Sequence, residues 1–252
     1  MRLFTGAPLA LMLFGAALLL CMVPAWQRAR HDTRTIRGVG VWAKPLKFMA
    51  ALALFAVTTA VSMLAAGAAP DASLWRIAAL VVATSTFEVT YITWQASRGE
   101  ASHYNTSDAL HTGLMAMMAL GAIGLAASQA WLAWVIVRHQ PGWLSSVAVL
   151  GVVTGLTMAC VLATISGFLL AGHRAPAGRG APVVGWHRLG DLRPAHFLGV
   201  HAQQCIPLFG LFAHALMGKA AHAGFAAMAC TYLLAWAALT RQELRSPAGL
   251  VA

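Results

Sequence analysis

The chain has 252 residues, of which 60% are hydrophobic and only 10% charged. Soluble domains carry about 25% charged residues, so this composition excludes a globule clothed in polar surface. The net charge of +10 reads as basic loops at span ends that set orientation and touch anionic lipid headgroups, with no nucleic-acid partner implied.

Apolar runs of about 18 residues or more read as transmembrane helices. In chain order they cover 7–26, 48–66, 74–94, 110–137, 143–170, 197–216 and 220–239. The fold class expected is all-α: a polytopic transmembrane helix bundle of about seven spans, forming one integral membrane domain over 1–252. The runs are continuously apolar rather than alternating, which disfavours a β-barrel. The first run, with Arg2 ahead of it and Val23-Pro24-Ala25 after it, has the outline of a signal peptide. Cleavage there would export a segment holding Arg28, Arg30, Arg34, Arg37, Lys44 and Lys47, against the positive-inside rule. The run is therefore read as a true span.

Placing that segment in the cytoplasm fixes the rest. Thirteen of the 17 Lys and Arg residues then lie inside, and four (Arg2, Arg76, Arg138 and Lys219) outside. The N-terminus is expected outside and the C-terminus inside, in a bacterial-type inner membrane. Residues 171–194 form a cytoplasmic loop. Its first part is rich in Gly, Pro and Arg and reads as a linker. Its second part, from Trp186 to Pro194, reads as a structured lead-in to the sixth span. Pro194 suits the first turn of that helix. The four cysteines, Cys21, Cys160, Cys205 and Cys230, form no CxxC and read as small buried hydrophobes. Gly151 and Gly155 make a GxxxG read as close helix packing.

Three polar segments converge on the inner face. Lys44-Pro45-Leu46-Lys47 enters the second span, Arg98 to His111 joins the third and fourth, and Asp191 to Gln204 enters the sixth. Glu88 lies ten residues inside Arg98, or about 15 Å deep at 1.5 Å per residue. It shares a face with Thr84, Tyr91 and Gln95. An ionisable group at that depth faces protein or water and is a candidate proton carrier. Glu100, His103 and Asp108 are the other candidate acid–base groups. Asp108 is expected to cap the fourth span or, on the sharper reading, to orient His111.

His111, His196, His201 and Gln204 are candidate cofactor contacts. His111 and His201 together are candidate metal or axial haem ligands, provided the fourth and sixth spans are neighbours. Lys44, Lys47, Arg98, Arg188 and Arg193 are candidate phosphate or headgroup contacts. The function reading placed first is a membrane-embedded redox or haem/metal-binding protein. The alternatives are a proton-coupled small-molecule transporter and an enzyme acting on a lipid or isoprenoid at the cytoplasmic leaflet. A homo-oligomer or a membrane-complex partner is compatible with any of them. The histidine spacing departs from membrane di-iron boxes, the last span has no retinal-type lysine, and no phosphate-loop fingerprint occurs.

Overall fold

The computed structural model describes residues 5–67, 69–172, 181, 185–187 and 189–245. Arg188, together with the linker's His173, Arg174 and Arg179, lies outside the described residues. The chain is an all-α helical bundle. Its helices are α1 (Gly6–His31), α2 (Ala43–Met63), α3 (Asp71–Arg98), α4 (Ala109–His139), α5 (Val147–Gly172), α6 (Arg193–Leu216) and α7 (Ala221–Arg245). Most helices extend past the apolar runs by several residues. Backbone hydrogen bonding continues into the polar interface, where hydropathy no longer marks the helix.

Among the described residues, six helices are long and apolar enough to cross a membrane. This makes the chain a multi-pass membrane protein. The exception is α6, counted from the sequence as a span. His196, His201, Gln203, Gln204 and His214 dilute its apolar character, although its 24 residues are long enough to cross. Pro24 sits inside α1, which continues through it. Within the helices, Thr59, Thr157, Ser166, Thr231 and Thr240 each donate to the carbonyl four residues back. That is how a hydroxyl is satisfied without water.

The residues fall into two compact units. The first contains α1, α2, α3 and α4 up to Ser128. Helices α1, α2 and α3 pack mutually, and Met118 of α4 packs with Tyr91 and Ile92 of α3. Between α1 and α2 is a feature that hydropathy did not signal. It is a two-stranded hairpin, β1 (Thr35–Ile36) against β2 (Val39–Gly40), with Thr35 opposite Gly40. Its turn residues Arg37 and Gly38 have φ of 53° and 75°, both positive, as a type I′ turn requires.

The second unit contains the last turns of α4 with α5, α6 and α7. Its most extensive packing is α5 on α6, and glycine permits it. A Cβ on Gly210 would stand 2.8 Å from the Val147 carbonyl oxygen, and one on Gly199 2.9 Å from the Leu162 carbonyl carbon. The Gly151–Gly155 pair faces Gly210 and Pro207, so the GxxxG is a packing motif here. The cysteines are not core residues as expected: Cys21 and Cys230 are exposed, Cys160 and Cys205 half-buried, and all are free. On an apolar helix the outward face is itself apolar, so hydropathy could not tell the two sides apart.

Candidate functional site

The polar groups of the first unit gather at one end, where the α1–α2 and α3–α4 connections meet. Helix α3 stops at Gly99, whose φ of 75° suits the left-handed position after a helix. The Glu100 N–H bonds the Gln95 carbonyl and the Gly99 N–H that of Ala96, which is the Schellman arrangement. The chain then turns back through Ser102 and His103 and re-enters α4 at Asp108. The Asp108 carboxylate accepts the His111 backbone N–H at 2.8 Å, capping the helix.

Two linked clusters result. In the first, the Lys44 ammonium at the start of α2 donates to Ser102 Oγ and to His103 Nδ1, each at 2.7 Å. Lys44 also lies over the Phe48 ring, 5.6 Å from its centroid. Since Nδ1 accepts, His103 carries its proton on Nε2. Burial, and then the Lys44 charge, push the His103 pKa down to about 3, so the ring is neutral at physiological pH. Deeper along α3, Glu88 is only 5% exposed and interacts electrostatically with Lys44. It faces a notch in α4, where a Cβ on Gly121 would stand 3.4 Å from Glu88 Oε1. Tyr91 and Gln95, expected on the Glu88 face, are buried with it, and Gln95 Nε2 holds the Ala101 carbonyl at 3.1 Å.

The second cluster surrounds His111, which is 7% exposed. Its Nδ1 lies 2.8 Å from Asp108 Oδ2, so both expected roles of Asp108, cap and orienter, coexist. Its Nε2 is buried and faces the Glu100 carboxylate, with Oε2 3.4 Å away. The other Glu100 oxygen is taken by Arg98, with its Nη2 at 3.0 Å and Nε at 3.1 Å. The Arg98 hydrogen bond, outweighing slight desolvation, keeps the Glu100 pKa below the usual carboxylate range. The two hydrogen bonds to His111 do the same for Asp108. Trp94 stacks on the His111 ring, centroids 6.2 Å apart and 14° from parallel, while Arg98 covers Trp94 from 5.2 Å. A cleft of about 470 Å³ opens here, lined by Arg98, Glu100, Ala101, Tyr104, Asn105, Ser107, Asp108 and His111.

An outer brace holds this end together. Asp32 accepts from Arg34 Nε at 2.9 Å, Arg34 Nη2 at 2.7 Å and Trp42 Nε1 at 2.8 Å. Arg34 Nη2 also reaches the Ser97 carbonyl at 3.1 Å, tying the hairpin loop to the end of α3. These hydrogen bonds, Arg34's first, hold the Asp32 pKa far below the usual carboxylate range. Lys47 is not in this cluster; it lines a separate cavity of about 290 Å³ with Trp42, Leu46 and Asp32 among others.

The second unit holds the remaining candidates. His196 Nδ1 lies 3.0 Å from Ser166 Oγ, whose hydrogen goes to the Leu162 carbonyl at 2.6 Å, so the imidazole is the donor. His201 Nδ1 lies 3.1 Å from Gln204 Oε1, and its ring packs on Phe197 at 4.0 Å between centroids. Gln203 is fully buried, and its amide makes no hydrogen bond to the described residues. Arg193 is committed to Asp191, with Nη2 at 2.6 Å and Nε at 2.8 Å. Burial works to raise the Asp191 pKa, but the hydrogen bonds from Arg193 and from the His187 N–H outweigh it and leave it lowered. The Asp191 N–H in turn bonds Glu243 Oε2 at 3.0 Å, fixing the α6 lead-in to the end of α7.

The structure therefore brings Lys44, Glu88, Glu100, His103, Asp108, His111 and Arg98 into one unit. His196, His201, Gln204 and Arg193 belong to the other. Sequence reasoning missed Ser102, Asp32, Trp42 and Glu243. Ser102 had a signal as the immediate neighbour of His103, and Asp32 as the only acid in a loop of cations. Glu243 had none, since its partner lies 52 residues away. Among the described residues, no three His, Cys, Asp or Glu side chains gather as a metal site. No protein family, curated protein or solved structure matches this chain.

Proposed function

We propose that this chain is a proton-coupled small-molecule transporter of a bacterial-type inner membrane, with Glu88 as its proton carrier. The observation that carries this reading is Glu88 itself. It is a carboxyl group 5% exposed within the apolar α3, charge-coupled to a lysine anchored on a neutral histidine. Placing an ionisable group in a membrane helix costs about 3 kcal/mol or more, and packing alone does not require one.

The surroundings support the same reading. A proton arriving from the polar end meets first the His111 cleft, then Lys44 with Ser102 and His103, then Glu88. The thirteen-to-four split of basic residues supports a cytoplasmic position for that end, and α6 serves as the seventh span, with Gln203 buried. The phosphate reading has less support. Lys44, Arg98 and Arg193 are already engaged by Ser102 and His103, by Glu100 and by Asp191.

The test is proton uptake by proteoliposomes holding a pH-sensitive dye, driven by an imposed potassium diffusion potential. The wild type is expected to acidify or alkalinise the lumen according to the sign of the potential, and Glu88→Gln to reduce the rate at least about tenfold. Equal rates for the two proteins would overturn the reading.

A further inference from the structure

The end of α1, the hairpin and the start of α2 concentrate positive charge. From Arg28 to Lys47 the chain holds six Lys and Arg residues and one acid, Asp32. Asp32 is matched to Arg34, Oδ2 to Nη2 at 2.7 Å. Lys44 is turned inward to Ser102 and His103, yet it still feels the charges of Lys47 and Arg37. Arg28, Arg30, Arg37 and Lys47 are all exposed. Like charges gathered in this way repel one another, and an anion arriving from outside relieves that repulsion.

Among these cations lies the cavity of about 290 Å³. Ala29 of α1 forms part of its wall, with Val41, Trp42, Ala43 and Leu46, and Lys47 brings an ammonium to it. Its depth in the membrane follows from the helices. Ala29 is in the last turn of α1 and Ala43 is the first residue of α2, and both helices are long and apolar enough to span. Trp26, three residues before Ala29, is 53% exposed, and the Arg30 guanidinium lies 4.9 Å from its ring centroid. An exposed tryptophan beside an arginine at the end of a spanning helix marks the headgroup level.

We propose that this cavity holds one anionic phospholipid of the adjoining leaflet, its phosphate at Lys47 and its glycerol and first acyl carbons against Trp42 and Leu46. The assignment goes beyond the transport reading and does not rest on it. Charge selects a phosphate. The apolar walls and the headgroup depth select a lipid over a phosphate dissolved in water, which would lose hydration against Val41 and Leu46 and gain nothing in return. A cavity of this size takes the glycerophosphate and leaves the chains in the bilayer.

The experiment is native mass spectrometry of the detergent-purified full chain, titrated in mixed micelles with dioleoyl phosphatidylglycerol or with zwitterionic dioleoyl phosphatidylcholine. One saturable phosphatidylglycerol adduct is expected, at least about fivefold tighter than phosphatidylcholine, since one basic residue near an anionic lipid is worth about that factor. Lys47→Gln, at an exposed position, should weaken it about fivefold. Ala29→Phe leaves the charge unchanged and fills the cavity from α1, and should weaken it by a similar factor. Lys219→Gln, in the α6–α7 connection, should leave it unaltered. Equal binding of the two lipids, an adduct indifferent to Lys47→Gln, or an equal loss in Lys219→Gln would overturn the proposal. Full retention in Ala29→Phe would put the lipid on surface charge and overturn the cavity. Displacement by millimolar inorganic phosphate would overturn the lipid in favour of a dissolved anion. Lipid binding is read without transport, so proton flux without the adduct rejects the lipid site alone, and the adduct without flux rejects the transport reading alone.

Discussion

Lys44 Nζ and His103 Nδ1 are 2.7 Å apart, joining the first turn of α2 to the α3–α4 connection 59 residues later. This contact makes His103 an obligate acceptor. Burial and the ammonium hold its pKa at about 3, against about 6.5 in an unfolded chain. The native state therefore binds fewer protons than the unfolded one between those values. The stability tied to a neutral His103 is whole above about pH 6.5 and is lost progressively as pH falls toward 3. Thermal unfolding in detergent should show a midpoint that drops from pH 7 to pH 4.5, with a shallower drop in His103→Gln. Parallel slopes in the two proteins would show that His103 does not titrate this way.

Asp108 has two separable roles. Asparagine caps a helix about as well as aspartate, whereas alanine loses about 1 kcal/mol. Asp108→Asn should thus unfold close to the wild-type temperature, and Asp108→Ala measurably lower. Only Asp108→Ala removes the acceptor of the His111 backbone N–H. Unfolding midpoints of the two variants measured side by side are the check.

Gly99 is held at φ 75°, and a Cβ there would stand 3.1 Å from Arg34 Nη1. Gly99→Ala is expected to cost about 1–2 kcal/mol from backbone strain and to displace the Arg34 bond to Ser97. Arg34→Ala, which removes that bond without strain, should cost less. The order of the two midpoints in thermal unfolding is the check.

The α5–α6 contact leaves no space for side chains. A Cβ on Gly155 would meet Pro207 Cδ at 2.6 Å. Overpacking of this kind costs about 1–3 kcal/mol, so Gly155→Ala and Gly199→Ala should each lower the unfolding midpoint. Gly113→Ala, with nothing within 4 Å of the added atom, should not lower it.

The orientation is tested by labelling. In a background without the four native cysteines, Thr35→Cys and Asn105→Cys should react with an impermeant maleimide only from the cytoplasmic side. Ser145→Cys should react only from the outside. The reverse pattern would overturn the topology drawn from basic residues.

The sequence by itself determined the solvent and the backbone. A chain this apolar must hide its amides within helices, and long apolar runs mark where those helices lie. It also pointed to a polar end and to Glu88, because charge in an apolar run is conspicuous. Yet hydropathy is a property of single residues, and the rest of the site is made of pairs. That His103 faces Lys44, and that Glu100 offers one oxygen to Arg98 and the other to His111, depends on connections folding back across many residues. So does the pairing of Asp191 with the distant Glu243, and the separation of His111 from His201 into different units. The tertiary structure decided these, because a hydrogen bond is specified by distance and direction in space, and neither is written in the spacing along the chain.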